Sequence, residues 1–442
     1  SSDVCSSDLE NSSKFKIFNL KDTAGKSLSL EVTAGLISKI TNEEGSSPES
    51  SEKIQLIDGL GKTIIPGLVD LHTHLREPGN EDSETVFTGS QAAAAGGYCA
   101  VSAMANSFPV ADTAGVVEQV FRLGQSHGIC DVFPIGAITL GLKGEQLSEM
   151  TAMHRSEAQT RIFSDDGKCL SNALVMRRAL EYVKIFDGVI AQHAQDPLLT
   201  ADSQMNEGLV STKLGLKGWP AVAEEAIIAR DILLAEHVKS RLHICHVSTA
   251  GSVEIIRWAK NRGFQVTSEV TPHHLLLTED LVESYNPIFK VNPPLRTKSD
   301  VEALRDGVAD GTIDVIATDH APHPKESKDC EWPAAAFGMT GLETALSVSY
   351  KSLVENKILN LSQLIQIMSE KPARIGKYMQ HGELKVGKEA NFSLVDLSKS
   401  WSPQRGSGYS KSQNNPFMDY ELPVVVEETY LRGKMVFRRD AR

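Results

Sequence analysis

The chain has 442 residues, 41% hydrophobic and 23% charged, and a formal charge of −12 at pH 7. That length exceeds a single hydrophobic core and predicts a large domain with a smaller companion. The acidic balance argues against a nucleic-acid footprint or an anionic membrane surface as partner, and no apolar run reaches bilayer-spanning length.

The opening stretch SSDVCSSDLENSS lacks the basic start and apolar centre of a secretory signal. It nearly repeats itself, and residues 1–13 read as a disordered tail or an expression artefact. From Phe15 to about Asp58 come short β runs, FKIFNL, LSLEV, LISKI and IQLID, parted by Gly, Ser and Asn. Ile64 to Leu71 is apolar with little alternation, the pattern of a strand buried on both faces. It leads into LVDLHTHLREPG, in which His72 and His74 stand two residues apart. On a strand these project to one face, so they could hold a metal ion together or sit as two hydrogen-bonded structural histidines.

Beyond this point apolar strands alternate with helical stretches. CAVSAMA precedes Val116, Val117, Val120 and Phe121 at helical spacing. DVFPIGAI, TRIFSDD, GVIAQHA, RLHICHV, FQVTSEV and DVIATDH follow, with helical segments at Val175 to Val183, Glu224 to Ala235 and Val253 to Lys260. About eight strands predict an α/β fold, a parallel (β/α)8 TIM-type barrel over residues 66–380. NFSLVDL, VVVEETYL and KMVF then resume the β style. Residues 14–65 and 381–442 are therefore expected to form a small β-sandwich domain from both chain ends. The six cysteines show no CxxC pair, and read as reduced thiols of a cytoplasmic protein.

A barrel of this kind places its chemistry at the carboxyl ends of its strands, and several runs end in polar residues. TRIFSDDG ends in Asp165 and Asp166, GVIAQHAQD carries His193, and RLHICHVST carries His246. In TIDVIATDHAPH the alternating Ile313, Val315, Ala317 and Asp319 share a face, followed by His320 and His323. Each alone has a plain structural explanation: Asp165-Asp166-Gly167 could be a turn, and His193 a capped loop residue. Together they describe a metal centre. Imidazole nitrogens and carboxylate oxygens suit zinc or a similar divalent ion. A carboxylate can bridge two such ions, which can share a hydroxide near neutral pH.

The stretches HTHLREPG, AMANSFPV, FSDDG, AQHAQD, HICHVST, EVTPHHLLLT, VNPPLR, ATDHAPH and NPFMDY, taken together, resemble the dihydroorotases of the cyclic amidohydrolase superfamily, and in spelling the long bacterial, actinobacterial-like type. The resemblance spans nearly the whole chain. It implies reversible cyclisation of N-carbamoyl-L-aspartate to (S)-dihydroorotate in pyrimidine synthesis, by metal-activated hydroxide with Asp319 as general acid and base. It implies one or two zinc ions per subunit, held by His72, His74, Asp166, His193, His246 and Asp319. Asp166 is the expected bridge, with Asp165 in reserve; Lys168 and Lys184, candidates for the carbamylated lysine of other relatives, sit in no matching motif. The resemblance assigns His74, Arg76, Asn106, Asn292, His323 and the backbone of Phe337 and Gly338 to the substrate. Arg76 offers a planar fork matched to a carboxylate. AMANSFPV departs from the usual spelling with Ala105 for Pro and Ser107 for Thr, but keeps the Asn. His273 and His274 carry no role in the pattern and read as structural, and Pro324 to Trp332 reads as a mobile polar loop over the site. A homodimer is expected, with association with aspartate transcarbamoylase open. The alternatives are an allantoinase or dihydropyrimidinase-like cyclic amidase, or an inactive scaffold for that transferase.

Overall fold

In the computed structural model, which describes residues 14–42 and 54–439, the middle of the chain forms a (β/α)8 barrel. The amino-terminal tail lies outside the described residues. The barrel strands in chain order are Leu68–Thr73, Tyr98–Ala103, Asp131–Pro134, Ile162–Phe163, Val189–Gln192, Arg241–Ile244, Val266–Val270 and Val315–Ile316. The first three and the last five form parallel sheets. Single parallel bridges join the two sheets at both seams, Gly136 to Phe163 and Thr73 to His320.

Each expected helix is present and runs slightly longer than its apolar spacing suggested. Ala114–His127 buries Val117 and Val120, and Ala173–Val183 buries Met176, Ala179, Leu180 and Val183. The latter starts where Asn172 accepts from the backbone N–H groups of Leu174 and Val175, satisfying donors the first turn cannot. Val222–Val238 and Ala250–Asn261 complete the pattern. Their buried faces pack on the strands in one large apolar cluster, including Val101, Phe163, Ile190, Leu242 and Val266. A second cluster draws Val69, Ala100, Ile162, Val189 and Val315 from strands around the barrel and closes it with Ala373, Ile375 and Tyr378. This apolar floor leaves the strands' carboxyl ends as the place for polar groups.

The two chain ends meet in a single eight-stranded sheet. Its link is Thr63–Pro66, which pairs antiparallel with Phe392–Val395 and, through Thr63, parallel with Lys21. The continuous strand expected over Ile64 to Leu71 is therefore two strands. The chain turns at Gly67, where a Cβ would lie 2.3 Å from the Cys99 Sγ, so only glycine fits. Hydrophobic periodicity cannot show this break, because both halves are buried. Phe15, Ile17, Leu30, Ile64, Phe392 and Tyr430 form the sheet's own core. The long connection between its strands Phe392–Trp401 and Leu422–Leu431 reaches back over the barrel mouth.

Candidate active site

Asp166 sits at the centre of four imidazoles. Its Oδ1 lies 3.2 Å from His193 Nδ1, 3.4 Å from His246 Nε2 and 3.5 Å from His72 Nε2, and its Oδ2 lies 3.3 Å from His74 Nε2. Asp319 Oδ1 lies 3.1 Å from His74 Nε2 and 3.4 Å from His72 Nε2. All six side chains are buried. The six expected metal ligands thus converge, and two groups among them, His72–His74–Asp166 and Asp166–His193–His246, have the spacing to hold an ion each.

The electrostatics follow from this crowding. Burial alone would raise the Asp166 carboxyl, but the charge of His72 and hydrogen bonds from His193 and His246 hold it well below the usual carboxylate range. Asp319 is likewise raised by burial and lowered more strongly by His72 and His74. Burial works to lower His72, His74 and His193, and the carboxylates outweigh it and raise all three. A third nearby group, His72–Cys245–Glu269, is a poorer cation cage, because burial pushes the Cys245 thiol up and disfavours a thiolate.

Two expected positions are reached differently from the alternation argument. The eighth strand covers only Val315–Ile316, and Asp319 lies beyond it at φ +47°. The face-sharing of Ile313, Val315, Ala317 and Asp319 therefore does not extend to Asp319; a left-handed residue in the turn presents the carboxylate instead. His246, beyond the sixth strand, also has positive φ, +30°.

The neighbouring aspartate has another task. Asp165 Oδ1 accepts from the backbone N–H groups of Ile138 and Thr139 at 2.8 and 2.9 Å, and its Oδ2 accepts from the Thr139 hydroxyl. Lys184 reaches the Val238 carbonyl at the surface, away from the imidazoles. His320, beside Asp319, has both nitrogens engaged: Nδ1 accepts from the Gly341 N–H, and Nε2 faces Glu84 Oε2 at 3.3 Å.

Among the expected substrate residues, Arg76 lies at the mouth with Nε donating to the Pro322 carbonyl at 3.1 Å. Burial lowers its pKa to about 10, partly offset by Asp319 and Asp166. His323 Nε2 meets the Phe337 carbonyl at 2.7 Å, which brings His323, Phe337 and Gly338 into one corner. Asn106 Oδ1 lies 2.9 Å from His74 Nδ1. Asn292 Nδ2 donates to Gln195 Oε1 at 3.1 Å, and Gln195 Oε1 lies 2.7 Å from His193 Nε2. The Asn292 Oδ1 is buried without a partner among the described residues.

Several groups of the site went unnoticed in the sequence. Glu269 contacts His72, Glu84 contacts His320, and Lys290 and Lys328 anchor the loop at the mouth. Lys328 Nζ donates to the carbonyls of Lys290, Ala336 and Gly338, so the segment expected as a mobile polar loop is tied down by a buried cation. His274 is bonded to Thr271 and the Pro293 carbonyl, and His273 leaves its Nε2 unpartnered among the described residues.

Comparison with known proteins gives a consistent result. Residues 61–252 match the Dihydro-orotase-like family. A dihydroorotase of Streptomyces coelicolor is 63% identical over 386 residues, covering 87% of this chain and 90% of its own. A dihydroorotase of Mycobacterium tuberculosis is 50% identical, covering 87% and 89%. The fold matches the L-hydantoinase (dihydropyrimidinase) of Arthrobacter aurescens with a TM-score of 0.84 at 24% identity, over 96% of both chains. That likeness concerns the fold alone. With curated relatives this similar over most of its length, the chain belongs to the dihydroorotase family.

Proposed function

We propose that this protein catalyses the reversible conversion of N-carbamoyl-L-aspartate to (S)-dihydroorotate and water, the ring-forming step toward pyrimidines. The observation that carries this is the convergence of four imidazoles on Asp166, with Asp319 and Arg76 at the same mouth. Family membership supplies the substrate.

The donor set fits a divalent ion. His72 Nε2 is fully buried and makes no hydrogen bond, although oxygens of Asp166 and Asp319 lie 3.5 and 3.4 Å away. An orphaned ring nitrogen facing carboxylates is costly without a cation between them. His72, His74, Asp319 and Asp166 would hold one ion, and Asp166, His193 and His246 a second, with zinc the ion we assign. When bound, the ion polarises the ring carbonyl and lowers the pKa of the attacking water.

The chain's own residues do the rest. In ring opening Asp319 accepts the proton of the attacking water and passes it to the amide nitrogen as the ring C–N bond breaks. In closure the ureido nitrogen attacks the carboxyl carbon and gives its proton to Asp319, and the protonated Asp319 carboxyl passes that proton to the departing hydroxide, which leaves as water. Arg76 holds the substrate carboxylate with the two terminal amines of its fork. Asn106, Asn292, His323 and the backbone at Phe337 and Gly338 orient the ring. Asp165 braces the loop that carries Asp166, which favours Asp166 as the bridge.

We extend the proposal to a homodimer in the cytoplasm, open to association with aspartate transcarbamoylase, and to a division into a barrel unit at 66–380 and a sheet unit from 14–65 and 381–442. No helix among the described residues is long and apolar enough to cross a membrane, and the five described cysteines are unpaired.

The test is to assay purified protein on dihydroorotate, allantoin and dihydrouracil, alongside metal analysis. Turnover of dihydroorotate alone, with zinc bound, is expected. Preference for either other ring would replace this reading with the allantoinase or dihydropyrimidinase one. Metal-free protein without turnover on any of the three would favour the inactive scaffold.

A further inference from the structure

We propose that Asn414, carried by the connection 402–421 of the terminal sheet, is a positioning residue for substrate binding: it fixes the corner of the barrel mouth that holds the ring. The inference rests on the dihydroorotase reading, in which His323, Phe337 and Gly338 contact substrate.

Asn414 is 3% exposed and its amide is fully used. Nδ2 donates to the carbonyls of Ala321 at 2.9 Å and Gly338 at 3.1 Å, and Oδ1 accepts the His323 N–H at 3.2 Å. A primary amide has two N–H donors and a carbonyl acceptor, so one side chain ties two separate segments of the eighth strand's loop together. The segments have little room to repack. Gly338 sits at φ +146°, and a Cβ there would lie 2.8 Å from His323 Nε2.

The same connection also grips the segment that follows the first barrel strand. The Ser410 hydroxyl donates to Glu84 Oε2 and the Lys411 N–H to Oε1, and the same Oε2 lies 3.3 Å from His320 Nε2, next to Asp319. Ser412 Oγ donates to the Ser83 carbonyl at 2.6 Å. Phe417 seats the connection in an apolar cluster with Leu277, Val291, Leu295 and Met339. Asn414 directly, and Ser410 and Lys411 through Glu84, bear on the stretch from His320 to His323 and on Gly338.

Asn414→Asp keeps the shape and loses both donors; Asn414→Ala takes the partner from the Ala321 carbonyl and the His323 N–H and one of two donors from the Gly338 carbonyl. Either variant raises KM for dihydroorotate about tenfold or more, with kcat within a few-fold and metal content unchanged. Gln404→Ala, an exposed position on the same connection, changes neither. In the unmodified protein, saturating dihydroorotate slows amide hydrogen exchange across residues 408–418. Three results overturn the proposal: KM unchanged in a folded variant, activity lost only in proportion to the unfolded fraction, or no ligand-dependent exchange across 408–418. If the variants do not fold, the exchange experiment on the unmodified protein decides. Absence of dihydroorotate turnover in the unmodified protein would instead sink the parent reading.

Discussion

Glu269 Oε1, on the seventh barrel strand, lies 2.6 Å from Nδ1 of His72. With Nδ1 donating to a carboxylate, the His72 lone pair is left on Nε2, the nitrogen that faces Asp166 and Asp319. The other Glu269 oxygen lies 3.0 Å from His243 Nε2, and Oε1 also accepts the His246 N–H at 3.2 Å. One carboxylate therefore orients the His72 ring and the backbone of His246. Losing such a partner typically weakens metal affinity by about 10–100-fold. Glu269→Gln should show that loss in a chelator competition on folded protein. Wild-type affinity in the variant would leave Glu269 with a packing role only.

Asp165 and Asp166 should separate cleanly. Asp165→Ala strands three buried donors, each costing about 1–3 kcal/mol, so the midpoint of denaturant unfolding should fall while metal stoichiometry is kept. Asp166→Ala should lose metal, and the metal-free protein should lose stability as well, since the imidazoles that hold its carboxylate well below the usual range are left without it; metal stoichiometry therefore tells the two variants apart. The reverse assignment of phenotypes would move the bridge to Asp165.

Much of this centre was legible in the sequence, and the parts that were not share a cause. The convergence of His72, His74, His193 and His246 was legible because all four lie at the carboxyl ends of barrel strands. Two adjacent aspartates are not told apart by position: Asp165 and Asp166 are equivalent until the fold shows that Ile138 and Thr139 claim the first. Glu269, Glu84 and Asn414 meet His72, His320 and Ala321 at sequence separations of 197, 236 and 93, partners that only the closed barrel brings near. Lys328 falls in a stretch that reads as a mobile polar loop because nothing local shows that backbone carbonyls will surround its ammonium. The Ile64 to Leu71 run hid its break because periodicity reports burial and not chain direction.

Arg76 is expected to read the substrate carboxylate. A hydrogen bond to a charged group contributes about 1.5–3 kcal/mol, so Arg76→Ala should lower kcat/KM by roughly tenfold to more than a hundredfold. Metal content should not change, and Arg76→Lys should recover only part of the loss because it lacks the fork. Wild-type kinetics in Arg76→Ala would place the carboxylate contact elsewhere.

Lys328 links the mouth loop to pH. Burial, with Lys290 nearby, lowers its pKa from 10.5 to about 7. Between those values the unfolded chain binds more protons at this position than the folded one, so its contribution to stability rises with pH. Below about pH 7 the penalty for burying the ammonium is fully present; above 10.5 it is gone. The stability of the unmodified protein relative to Lys328→Met should therefore increase from pH 7 toward pH 10, by on the order of a few kcal/mol. Denaturant midpoints of the pair across that range are the measurement, and a flat or falling difference would contradict it.

The central claim is that Asp319 moves the proton in a metal-assisted amide hydrolysis. Asp319→Asn keeps the shape of the side chain and removes its basicity, while His72, His74, His193 and His246 retain the metal. The most direct measurement is the rate of dihydroorotate ring opening and of N-carbamoyl-L-aspartate closure by Asp319→Asn with its metal content matched to the unmodified enzyme. Loss of a positioned acid and base costs about 10²–10⁴-fold, and both directions should fall by at least that factor. Rates within a few-fold of the unmodified enzyme in both directions, at equal metal content, would contradict the account and leave Asp319 a ligand only.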